Sequence, residues 1–228
     1  PGSRAQLDLA RVNMLCGTLA ATLGRAEEAA SRLDEALLIC RNLRDDPEIT
    51  DAALEQLAAA LTKQGTAGAP DRDLDQDRKY LEEAVAIHRS LVRRDPQQPE
   101  YRSNLAWSLM NLGGWYQGQG QLPDALARTR ESVAILERLV ADGASDEKLK
   151  ASLAAIRVNL ASQLHGTGKT DPAAEQFRLA IAELERQLEL RPASLEFAGD
   201  QHAALGRRAL RLGERHGWLG WWRSRRRR

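Results

Sequence analysis

A 48-residue period runs through this chain and constrains its fold more than any other feature. Ala36, Ala84, Ser132 and Ala180 stand 48 apart (84−36, 132−84, 180−132). Leu33, Leu81, Thr129 and Phe177 keep the same step, as do Leu37, Val85, Val133 and Ile181, and so do Cys40, His88, Leu136 and Leu184. A fixed period of this size implies a stack of supersecondary units, each packed on its neighbours, in place of one central core. Such stacks offer long binding surfaces, so the period itself points toward recognition.

The units read as helical hairpins. Phe177, Ile181, Leu184 and Leu188 recur at helical spacing, and Leu81, Val85, His88 and Val92 trace the same stripe one pair of units earlier. These second helices stop at Asp45-Asp46-Pro47, Asp95-Pro96, Asp142-Gly143 and Arg191-Pro192, where proline or glycine ends a helix. First helices show as Leu105, Leu109, Leu112 and Tyr116, closed by Gly118 and Gly120, and as Leu153, Leu160 and Leu164, closed by Gly166-Thr167-Gly168. Gly24 is the corresponding turn in the first unit. A short turn between two apolar-striped helices makes them antiparallel.

The second unit breaks the pattern. A gapless step would place Gly65, Gly68 and Pro70 inside its first helix, which costs about 1 kcal/mol per glycine and about 3 for proline. A seven-residue shift avoids this: Leu54, Leu57 and Leu61 take the stripe and Gly65 becomes the turn glycine. The expected organisation is four hairpins over 4–192, a capping helix over 193–216 and a tail over 217–228. Pro1, Gly2 and Ser3 read as a remnant of tag cleavage, which makes the chain a piece of a longer protein.

Composition narrows the class. Apolar residues are 43% and aromatics 4%, as suits an Ala/Leu-rich helical stack. No run approaches the roughly 18 apolar residues of a membrane span, and no secretory signal is present. Cys16 and Cys40 sit on apolar stripes and read as buried free thiols, in keeping with a reducing, cytoplasmic setting. Charge is uneven. Residues 207–228 hold nine arginines and one acid, so +8, and the other 206 hold 24 basic and 31 acidic side chains, so −7.

Trp107, Leu109, Leu112-Gly113, Tyr116, Gly120 and Ala125, in that order, resemble the tetratricopeptide repeat signature. The fourth unit has Ala161 in place of the glycine, and the first keeps Gly17, Gly24, Ala29 and Ala36. The long unit is similar to extended repeats of kinesin light chains and of bacterial multi-repeat proteins. Phrases such as 99–109 and 83–87 resemble repeats appended to bacterial Ser/Thr kinases and signalling ATPases. The resemblance implies an all-α solenoid whose first helices line a concave, peptide-binding groove, with no cofactor and no metal.

Groove-facing residues should lie off the apolar stripe: Arg11, Met14 and Thr18; Glu55, Gln56 and Lys63 in the shifted register; Trp107, Met110, Asn111 and Gly114; Val158, Asn159 and Ser162. Gln56, Asn111 and Asn159 would then form a ladder of side-chain amides able to pair with a peptide main chain. Bonding between helices of the scaffold is the alternative use of such amides. The combination of Lys, Asn and Arg with which chaperone-binding members of the family clamp a carboxylate is missing.

Gly166-Thr167-Gly168-Lys169-Thr170 imitates the end of a phosphate-binding loop, but Gln163 stands where that loop needs glycine, and a helix precedes it. His88, His165, His202 and His216 share no metal-ligand spacing, and His88 reads as a hydrogen-bonded core residue. No nucleophile–base set can be assembled, so the chain reads as a non-enzyme. In the tail, Trp218, Trp221 and Trp222 with Arg223, Arg225, Arg226, Arg227 and Arg228 suit a membrane surface or nucleic acid. Packing on the last helix, or pairing with the acidic body, is the structural alternative. The function expected is protein–protein recognition in a scaffold or regulatory part of a larger bacterial protein. The alternatives are a sensor controlling a linked kinase or ATPase, and attachment through the tail.

Overall fold

The structure is a computed structural model that describes residues 2–66, 73–143 and 147–190, with side chains through residue 187. The expected capping helix and basic tail lie outside the described residues. The described residues form eight α-helices: α1 (Ser3–Thr22), α2 (Ala26–Leu43), α3 (Thr50–Thr66), α4 (Leu74–Arg94), α5 (Pro99–Gly118), α6 (Leu122–Ala141), α7 (Glu147–Gly166) and α8 (Thr170–Leu190). The chain divides into two compact units, Pro1–Trp115 and Tyr116–Arg228. In the first, α1 packs on α2, α2 on α3 and α3 on α4; in the second, α6 packs on α7 and α7 on α8.

Two columns of small residues let the helices approach. Ala10, Ala58, Ala106 and Ala154 are fully buried at 48-residue spacing, and so are Ala36, Ala84, Ser132 and Ala180. Between them Leu57, Leu61, Leu81 and Leu91 in the first unit and Leu136, Leu139 and Ile156 in the second are almost wholly buried. Each such side chain contributes about 1.5–3 kcal/mol by leaving water. The column of Cys40, His88 and Leu136 is buried as the periodicity requires, with Leu184 partly buried. His88 accepts or donates one hydrogen bond there, Nδ1 to Ser108 Oγ at 2.8 Å, and burial lowers its pKa from 6.5 to about 4. Cys40 is also inside, its thiol pushed up to about 11, chiefly by burial. Cys16 is different. It is exposed, against the expectation of two buried thiols, because no helix among the described residues lies over its face of α1.

The seven-residue shift in the second unit is overturned. Gly65 lies within α3, not in a turn. A Cβ there would stand 2.6 Å from Leu81 Cγ and 3.0 Å from the Asp77 carbonyl oxygen. A Cβ on Gly17 would meet Leu33 Cγ at 3.0 Å and the Ala29 carbonyl at 3.1 Å. Leu81 and Asp77 follow Leu33 and Ala29 by 48, so Gly65 is the counterpart of Gly17 and the register is gapless. Gly68 and Pro70, the other residues that argued for the shift, lie outside the described residues. Asp73 then caps α4, its Oδ1 accepting from the Asp75 and Gln76 N–H groups at 3.0 and 3.3 Å.

The hairpin turns repeat one geometry. Gly24, Gly120 and Gly168 have φ of 75°, 73° and 76°. The following N–H reaches back five residues: Arg25 to the Ala20 carbonyl, Gln121 to that of Tyr116 and Lys169 to that of Leu164, each at 2.9 Å. This ending needs a residue in the left-handed region, which glycine enters without a Cβ penalty. Gly120→Ala should therefore lower stability by about 1–2 kcal/mol; an unchanged denaturation midpoint would show that the turn relaxes at no cost.

Candidate functional site in the first unit

The gapless register sorts the first helices of unit 1 into columns. Arg11, Ala59 and Trp107 occupy one, with Arg11 on α1, Ala59 on α3 and Trp107 on α5. Leu15, Lys63 and Asn111 occupy another. Two hydrogen bonds tie these helices side by side. Lys63 Nζ donates to Thr18 Oγ1 at 2.9 Å, joining α3 to α1, and Asn104 Nδ2 donates to Glu55 Oε1 at 3.3 Å, joining α5 to α3. Thr18 in turn donates to the Met14 carbonyl at 2.7 Å.

The charges on this face are incompletely answered. Lys63 is half-buried and makes no ion pair among the described residues; burial lowers its pKa. The pKa of Glu55 is raised by burial first, then by Asp51 and Glu100. A cleft of about 480 Å³ opens beside it between α1 and the start of α3, bordered by Arg4, Asp8, Arg11, Ile49, Asp51 and Arg94. Arg11 pairs with Asp8 at 3.2 Å and Arg94 with Asp51 at 2.6 Å. Arg4 and Arg94 escaped the sequence reading, since arginine has no helical signature that separates a cleft wall from a solvated face.

Most of the expected groove residues are partly exposed: Thr18, Glu55, Gln56, Lys63, Trp107, Met110 and Asn111 in unit 1, Asn159 and Ser162 on α7 in unit 2; Arg11 and Gly114 are exposed. Two are corrected. Met14 is buried in the core of unit 1 and Val158 in that of unit 2, although Met110, in the same 48-residue column, stays partly exposed. The amide ladder also changes. Lys63, not Gln56, precedes Asn111 and Asn159 at 48-residue steps, and Gln56 aligns with Asn104.

The phosphate-loop imitation is a hairpin turn, as its position after a helix implied: α7 ends at Gly166 and α8 starts at Thr170. Among the described residues no group of three or more His, Cys, Asp or Glu side chains could hold a metal ion, and no helix is long and apolar enough to cross a membrane.

Comparison with known proteins agrees with this arrangement. Residues 105–143 match the tetratricopeptide repeat family. Over 93% of its length the chain is similar to a solved Podosopora anserina protein assigned as a kinesin light chain of nearly identical TPR-like repeats, covering 95% of that chain at 22% identity with a TM-score of 0.51. No curated protein matches. The fold is one that typically serves as a non-catalytic scaffold for protein–protein interaction. Residues 105–143 thus match a tetratricopeptide repeat, in a chain with an all-α, TPR-like solenoid fold.

Proposed function

We propose that this chain binds an extended peptide segment of a partner protein across the face shared by α1, α3 and α5, as a scaffold or regulatory part of a larger bacterial protein. The observation that carries the reading is the column of Arg11, Ala59 and Trp107. Ala59 is a low floor between a cation and an indole, which leaves room for a backbone and supplies an aromatic anchor of the kind that dominates binding energy. Lys63, bonded to the Thr18 hydroxyl and without an ion pair among the described residues, is placed to receive an acidic side chain, and Asn111 offers a donor and an acceptor beside it.

The test is a displayed-peptide selection on the intact chain, repeated with Lys63→Ala/Trp107→Ala. Affinity for the selected peptides should fall by about tenfold or more, with helicity unchanged. Full retention of affinity would contradict the reading. The +8 charge of residues 207–228 supports a second reading, attachment to anionic lipid or nucleic acid. Binding to vesicles or oligonucleotides that survives deletion of 217–228 would dismiss it.

A further inference from the structure

Helix α1 carries a row of large apolar side chains in water: Leu9, Val12, Leu15, Leu19 and Leu23 are all more than half exposed, Leu15 at 70% and Leu19 at 61%. With Cys16, also exposed, they fall within an arc of about 120° at 100° per residue. Single exposed leucines need no explanation, but a contiguous apolar face marks an interaction site.

The repeat itself shows what covers such a face. The counterparts of Leu9 are Leu57, Leu105 and Leu153; those of Val12 are Ala60, Ser108 and Ile156; those of Cys16 are Gln64, Leu112 and Leu160. All nine are buried. In each unit a preceding second helix does the covering. Gln64 Nε2 donates to the Ala30 carbonyl and to Asp34 on α2, at 3.3 and 2.7 Å. Ser108 meets His88 on α4. Helix α6 packs on α7, with Arg157 on Glu137 at 2.8 Å.

We propose that the exposed face of α1 is a docking surface for one amphipathic helix of the α6 kind, the second helix of a further repeat, laid on α1 as α6 lies on α7. The α6 kind fits best because the α7 face it covers, Leu153, Ile156 and Leu160, is fully apolar like Leu9, Val12 and Cys16, whereas α2 covers a face bearing Gln64. The surface borders the peptide-binding face at Leu15, and the proposal does not depend on that reading.

The two cysteines make the test direct. Cys16 sits in the middle of the face and reports its coverage; Cys40 is buried and reports that the unit is folded. Reacted with a thiol reagent, the chain should show one fast thiol and one silent one. A fusion that places a copy of residues 99–146 ahead of Ser3 continues the 48-residue register. It should slow Cys16 by about tenfold or more while Cys40 stays silent. An unchanged Cys16 rate with Cys40 silent would overturn the proposal. Should both thiols react, the fusion is misfolded, and a copy of residues 51–98 takes its place under the same criterion. Protection of Cys16 in the unfused chain that grows with concentration, alongside a sedimenting dimer, would assign the face to a second copy and overturn the proposal too.

Discussion

Lowering the pH from 6.5 to about 4 is expected to remove about 3 kcal/mol of stability through one side chain, His88. In the unfolded chain its imidazole takes up a proton below 6.5; in the fold, burial holds the neutral form down to about 4. Between those values the unfolded state binds more protons, so stability rises with pH. The contribution is intact above 6.5 and is lost as pH falls through that window. Leu136 and Leu184 occupy the same column in the later units, so His88→Leu with Ser108→Ala replaces the buried pair by the apolar packing that the repeat uses elsewhere. Urea denaturation at pH 7 and pH 4.5 should show the wild type losing markedly more stability than this double variant. Equal losses would mean that His88 is protonated in the fold.

Gly65→Ala should destabilise the chain by about 1–3 kcal/mol, although alanine is the better helix former by about 1 kcal/mol. The clash decides the sign. One of the three close atoms is the Asp77 carbonyl oxygen at 3.0 Å, part of the α4 backbone, which cannot swing aside as a side-chain tip could. Gly114→Ala is the matched control, since a Cβ there meets nothing within 4 Å. That substitution should stabilise by up to about 1 kcal/mol. Opposite signs in thermal or urea melts would establish close helix approach at Gly65, and hence the gapless register. The same sign for both would remove the structural reason for it.

The hairpins, their turn glycines and the buried columns at 36 and 40 were legible from spacing, because each is a local rule repeated at one period. The second unit misled for a specific reason. Helix propensity alone argues against Gly65 in a helix, yet Gly17, Gly113 and Ala161 already marked that column as one where a second helix comes close. Tertiary packing overrode propensity at Gly65. The groove was legible only as a set of columns off the apolar stripe. Which residues of a column turn inward, as Met14 and Val158 do and Met110 does not, depends on how the helices of a hairpin roll on each other, and no single helix encodes that. The exposed face of α1 was invisible for the same reason: Leu9 and Cys16 sit on apolar columns, and only the absence of a covering helix among the described residues distinguishes them from Leu57 and Leu160.

The central claim is that a partner segment lies across α1, α3 and α5. Hydrogen exchange on the intact chain, with and without a saturating selected peptide, tests it most directly. Added protection is expected, concentrated in residues 11–18, 55–66 and 104–111. Protection confined to other segments, or unchanged exchange across those three with the peptide fully bound, would contradict it.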